Sequence, residues 1–249
     1  MDNSLPSIAL MYHGILSDPS DIPPDRDAGA ELYDVSLDNF KAQMESLKHF
    51  KTKNPNRNVM ITFDDGEMNN FKNVFPVLKG MGWGAYFFIV AKRVGKKGYM
   101  GLNELKQLHD AGMTIGSHGL THEILTNLLD SQMEEELRAS KENLEINLKI
   151  PIDTLSIPRG FCNDKVIETA YRLGYQKVFI SGRPAWLKST CFSRIPVKSN
   201  WSLGRFRMAL NGKTPLMEII GNVLIKILKF LLRESGYSWM RRSLIKIIR

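Results

Sequence analysis

Three of the chain's five histidines, together with one pair of adjacent aspartates, carry the chemistry that this sequence offers. Val59-Met60-Ile61-Thr62-Phe63 reads as a buried strand and runs straight into Asp64-Asp65-Gly66. Carboxylates at a strand end cost solvation energy unless something there uses their charge. Ser117-His118-Gly119-Leu120-Thr121-His122 sets two imidazoles four residues apart. On one helical turn, or a loop curling like one, both could face one ion. His13 follows a third apolar run, Ile8 to Tyr12. Two neutral imidazoles, one carboxylate and an open position make a catalytic zinc set. A second carboxylate would hold or deprotonate a water. Each piece alone has an ordinary reading: paired aspartates cap helices, and histidines at this spacing arise by chance. His49 and His109 fall in predicted helices and read as surface or boundary residues.

The elements that must position these groups alternate between strand and helix about seven times. Strands are predicted at 8–12, 59–63, 85–90, 113–116, 154–157, 177–180 and 192–197. Helices are predicted through Phe40, Met44 and Leu47, over 71–79 with Gly80 closing, over 102–110, over 130–148 and over 164–173. This order implies parallel strands with helices outside. The chain, at 249 residues, is slightly short for the eight full units of a closed barrel. The expected fold is therefore α/β, a seven-stranded or distorted barrel. In such architecture the C-terminal strand ends share one face, which brings His13, Asp64, Asp65 and His118 to one place. Ser17 to Asp34, rich in Asp, Pro and Gly, is a long loop of the kind that carries function near an active face.

Thr62-Phe63-Asp64-Asp65-Gly66 resembles the first motif of the polysaccharide deacetylase family, the NodB-homology or carbohydrate esterase family 4 domain. Ser117 to His122 resembles its second motif, and Ile157-Pro158-Arg159-Gly160-Phe161 its third, a loop lining the cleft. The resemblance spans residues from about 8 to 200 and implies a distorted (β/α)7-type barrel. It implies removal of an N-acetyl group from a sugar in a polysaccharide, oligosaccharide or glycolipid. It assigns Asp65, His118 and His122 to a divalent metal, zinc first with cobalt or nickel as alternatives, and Asp64 to the general base. Many members carry a late histidine as general acid, but no histidine follows His122. Met11-Tyr12-His13-Gly14 resembles the opening of a branch with rearranged motifs, which makes His13 the candidate acid. Many members also place a base-orienting arginine where this chain has Ser156. Arg159, beside Pro158, is the candidate to contact substrate or to replace that charge, and Trp186 or Trp201 to form a sugar-stacking wall. Hydrolysis of another small-molecule C–N bond, or sugar binding by a relic site, are the competing functions.

Two cysteines, Cys162 and Cys191, form no CxxC pair and no disulfide framework. The net charge is +8, concentrated late: from Thr190 onward the only acids are Glu218 and Glu234. Residues 1–212 read as the catalytic domain and 213–249 as a basic amphipathic helical extension. That extension suits peripheral contact with an anionic membrane. It lacks the aromatic pattern or module expected for nucleic acid. With no basic n-region at the start and no apolar run of membrane-spanning length, the expected location is cytoplasmic, or peripheral at the inner membrane face.

Overall fold

A computed structural model describes residues 8–181 and 191–213. The extension expected over 213–249 therefore falls almost wholly outside the described residues. In chain order the strands are β1 (Ile8–Tyr12), β2 (Ile15–Leu16), β3 (Val35–Ser36), β4 (Val59–Phe63), β5 (Tyr86–Ile89), β6 (Thr114–Ser117), β7 (Thr154–Ser156), β8 (Lys177–Ser181) and β9 (Cys191–Pro196). The helices are α1 (Leu37–Lys53), α2 (Phe75–Met81), α3 (Leu102–Asp110), α4 (Asp130–Leu148), α5 (Asp164–Arg172) and α6 (Leu203–Leu210). Seven strands close a barrel in the order β1-β4-β5-β6-β7-β8-β9, and every neighbouring pair is parallel. Closure comes from β1, which pairs with β4 on one side and β9 on the other. The expected α/β barrel is thus found. The short β2–β3 pair stands apart from it.

Alternation along the strands separates two apolar layers. Leu10, Tyr12, Ile61, Phe63, Phe87 and Ile89 pack outward against the helices, which bury Phe40, Met44, Leu47, Met133, Leu137 and Leu144. Ala9, Met60, Phe88 and Phe179 form a separate buried cluster of inward parity. Phe179 stacks on Phe192 at 5.1 Å and meets Phe88 at a tilt, 5.0 Å between ring centres. These rings fill the barrel beneath its C-terminal mouth. One step further along the same parity come polar residues: His13 after Met11, Asp64 after Thr62, His118 after Gly116, and Arg194 after Phe192. The strand period therefore delivers the polar set to the mouth.

Three local details differ from expectation. Helix α2 runs past Gly80 and is closed by Gly82, whose left-handed backbone (φ 67°) ends it. A π-helical turn, Asn70–Val74, precedes α2 and turns buried asparagines toward β1. Asn70 donates to the His13 carbonyl (2.8 Å) and Asn73 to that of Ile15 (2.7 Å). Helix α6 was not expected; Ser202 caps it through the Arg205 N–H (3.2 Å) and Phe206 and Leu210 bury its inner face.

Candidate active site

Adjacent residues on a strand point opposite ways, yet Asp64 and Asp65 are both buried at the mouth. The backbone resolves this. Asp65 takes a left-handed conformation (φ 73°) immediately after β4, followed by Gly66 at φ 75°. A non-glycine residue there carries strain that surrounding contacts must hold. His122 is the second such residue, at φ 74°. His118 and His122 are not on a helical turn. They sit on an irregular loop after β6, pinned where Thr121 donates through its N–H and hydroxyl to Glu136 of α4 (2.6 and 2.9 Å).

The loop brings the two imidazole rings to 4.9 Å. Asp65 Oδ1 lies 3.4 Å from His122 Nε2 and 3.9 Å from His118 Nε2. One donor atom from each of Asp65, His118 and His122 falls within 4.8 Å of the others. A tetrahedral ion with bonds of about 2.0–2.1 Å sets its ligands about 3.3 Å apart, so little movement would close the set. The tautomers fit as well. His118 Nδ1 faces the Ser156 carbonyl (2.9 Å), which can only accept, so Nδ1 carries the proton and Nε2 keeps its lone pair. His122 Nδ1 faces the Asp27 carboxylate (2.6 Å), again leaving Nε2 for an ion. Burial lowers the His118 pKa to about 4 although Asp64 opposes it, which keeps the ring neutral as a ligand must be. The donors therefore fit a divalent metal.

Asp27 comes from the long loop that was expected to be functional, though no periodicity singles it out. It also accepts from Arg93 and Arg159, both at 2.7 Å. Burial pushes its carboxyl pKa up, but His122 and Arg93 outweigh that and hold it well below the usual range. Arg93 turns its other nitrogen to Asp65 (3.3 Å), so one guanidinium ties a candidate ligand to the carboxylate that orients another.

Asp64 is held differently. Arg194 of β9 donates to both its oxygens, at 2.7 and 2.8 Å, and also to Ser156 Oγ at 2.8 Å. Both side chains are almost wholly buried. Burial raises the Asp64 pKa, yet Arg194 and then His118 reverse the shift and hold it well below the carboxylate range. Arg194, not Arg159, thus supplies the charge missing at Ser156. Arg159 instead spans to Asp27 at the rim, 37 % exposed. The overlooked signal was a charge at inward parity in a buried strand, which demands a partner.

These groups floor a cleft of about 820 Å³, lined also by Met11, Tyr33, Arg159 and Phe161. His13 lines it too, its ring 4.9 Å from that of Tyr33 and its Nδ1 buried without a hydrogen-bond partner among the described residues. Burial lowers its pKa against the pull of Asp65 and Asp64. Pro158 is buried behind the wall, near Gly119, and does not line the cleft. Trp201 is 6 % exposed, packs in the core and is not among the residues that line this cleft; Trp186 lies outside the described residues. The aromatic residues that line the cleft are Phe161, the last residue of the third motif, and Tyr33, which belongs to no motif.

A family model described as polysaccharide deacetylase matches residues 51–178. A peptidoglycan-N-acetylglucosamine deacetylase of Bacillus cereus is 31% identical over 145 residues, 57% of this chain and 66% of that protein. A poly-beta-1,6-N-acetyl-D-glucosamine N-deacetylase of Staphylococcus aureus is 27% identical over 176 residues, 59% of this chain and 61% of that protein. The chain spans about three-fifths to two-thirds of the length of the curated relatives it matches. Among solved structures, a Bacillus cereus polysaccharide deacetylase superposes with a TM-score of 0.68 at 26% identity, over 83% of this chain and 69% of that one.

Proposed function

Since the chain belongs to the polysaccharide deacetylase family, we propose that it is a metal-dependent hydrolase that removes the N-acetyl group from an amino sugar in a polysaccharide, oligosaccharide or glycolipid. The observation that carries this reading is the meeting of a two-histidine, one-carboxylate donor set with a separately held carboxylate on one open cleft. The Bacillus cereus and Staphylococcus aureus relatives are named as deacetylases of peptidoglycan N-acetylglucosamine and of poly-beta-1,6-N-acetyl-D-glucosamine, which makes N-acetylglucosamine the first sugar to try.

Zinc is the metal we favour for Asp65, His118 and His122, because imidazole nitrogen with one carboxylate suits it; cobalt or nickel could substitute. When bound, the cation supplies polarisation of the acetyl carbonyl and acidification of water. Asp64 is assigned as general base. The ion pair with Arg194 keeps it deprotonated but lowers its basicity, so the water must arrive already acidified for the transfer to proceed. His13 is assigned to protonate the departing sugar nitrogen, since amide cleavage by water must leave an amine and acetate. Its lowered pKa means that the ring is neutral at rest and must first take up a proton, as a relay. Arg159, Tyr33 and Phe161 are assigned to contact sugar at the rim.

The test is metal analysis of the purified protein alongside acetate release from N-acetylglucosamine oligomers. Expected are one equivalent of metal, release lost on chelation and restored by zinc, and an Asp64→Asn variant that keeps metal but not turnover. Metal without release from any acetylated sugar would overturn the substrate assignment, and failure to bind added metal would overturn the mechanism.

A further inference from the structure

The segment between β2 and β3 lies as a strap across the barrel mouth, and its anchors follow the barrel order. Arg26 pairs with Glu67 after β4 (2.7 Å). Asp27 pairs with Arg93 after β5 (2.7 Å), His122 after β6 (2.6 Å) and Arg159 after β7 (2.7 Å). From there residues 28–33 return along the cleft to His13 after β1, where Tyr33 meets the imidazole. The Leu32 carbonyl accepts from the Ser199 N–H, after β9, at 3.0 Å. Arg26 also clasps Asp34 at the far end of the strap (2.8 Å), which closes the loop on itself. Asp27, Leu32, Arg159 and Ser199 all line the cleft. The wall is therefore unbroken from Arg159, along the strap, to Ser199. Both ends of any groove parallel to the strap are shut, one by an ion pair and the other by a backbone hydrogen bond. What is left of the rim, at most, is the sector above β8, which stands between β7 and β9 in the barrel.

We infer that the cleft takes an acetylated amino sugar with a single glycosidic attachment: the last residue of a chain, or one sugar carried on an aglycone. This deepens the deacetylase reading and rests on it. An internal residue of a polymer bears bonds on two sides, so a sugar lowered to the floor needs two gaps in the rim for its neighbours. A terminal residue needs one. Depth makes the rim decisive, because Asp65, His118 and His122 are buried at the floor while Arg159 stands exposed at the edge. The strap is a fixed wall and not a hinged one. Lifting it would break four charge-assisted contacts together, Arg26 with Glu67 and Asp27 with Arg93, His122 and Arg159.

The experiment gives the metal-loaded full chain three probes: a linear N-acetylglucosamine pentamer, a cyclic oligomer of the same linkage, which has no terminal residue, and the methyl glycoside of N-acetylglucosamine. Acetate release is measured, and the pentamer product is sequenced by mass spectrometry. Expected is loss of acetyl groups from a chain end only, with internal residues intact, and a kcat/KM at least about tenfold lower on the cyclic oligomer. Release from the methyl glycoside as well as the pentamer extends the substrate to single sugars on an aglycone; release from the pentamer alone restricts it to chain ends. Arg159→Ala, checked for folding by its melting temperature, opens one end of the wall and should narrow the preference for the linear oligomer. An unchanged preference in that variant overturns the role of the wall. Equal kcat/KM on linear and cyclic oligomers in wild type, or early acetyl loss from internal residues, overturns the inference and leaves the deacetylase reading intact. If no acetylated sugar is cut, that reading fails and calorimetric titration decides the cleft separately. Saturable binding of the linear over the cyclic oligomer supports the inference, and equal or absent binding overturns it.

Discussion

Arg194 and Asp64 form a buried pair whose members need each other more than the fold needs the pair. Removing the arginine leaves an uncompensated carboxylate between Thr62 and Ser156, and breaking such a pair typically costs about 3–5 kcal/mol. Arg194→Met should therefore destabilise the protein by that order in urea denaturation and abolish acetate release. Adding Asp64→Asn should recover much of the stability but none of the activity. A single variant of wild-type stability would show that the pair is solvated after all. Acid should act through the same floor. The His118 pKa falls from 6.5 unfolded to about 4 folded, so between those values the unfolded chain takes up a proton that the folded chain refuses. The stability from neutral His118 is complete above about pH 6.5 and is lost as pH falls toward 4. Asp64, also depressed, adds a loss of the same sign at lower pH. Glu67, whose pKa burial raises to about 7, contributes with the opposite sign over much of this window, so the His118 share is read as a difference. The melting temperature of metal-free wild type should fall more than that of His118→Gln as pH drops from 6.5 to about 4, and an equal fall in both would contradict the assignment.

At the scale of elements, the strands must approach closely enough for their inward residues to meet. Gly116 of β6 marks the tightest place: a Cβ there would lie 2.4 Å from Thr154 Oγ1 and 2.6 Å from the Phe88 ring. Gly116→Ala should cost about 1–3 kcal/mol by overpacking, read by denaturant midpoint, and should lower metal affinity because His118 lies two residues on. Unchanged stability and affinity would mean that β6 can shift freely. The alternation that builds these strands was legible in the sequence, and so were the acids and histidines at their ends, because strand period and strand end are local properties. Arg194 was not legible as the partner of Asp64, since that contact exists only once β9 closes onto β1 across the barrel. Asp27 sits in an irregular loop where no period constrains it. Trp201 looked available because aromatic rings serve both cores and clefts, and only packing distinguishes them.

For the whole molecule, the metal links the loops after β4 and β6 into one unit. An ion that binds only the folded chain stabilises it by about 2.7 kcal/mol at a hundredfold excess over Kd, which for a domain of this size corresponds to a rise of roughly 5–10 °C in melting temperature. Chelation should remove that increment and zinc restore it; a melting temperature indifferent to both would argue against a preformed site. The barrel beneath the metal site is filled by Met60, Phe88 and Phe179, so no path leads down its axis and the cleft is entered from the mouth. Whatever is cut at its floor has to leave the way it came. On the proposed reaction, acetate freed at the bottom would be corked by the deacetylated sugar until the sugar departs, which would fix an order of release. Acetate then meets the empty enzyme last and should inhibit competitively against substrate, with the amino-sugar product inhibiting noncompetitively. The reverse pattern in product-inhibition kinetics would reveal a second exit.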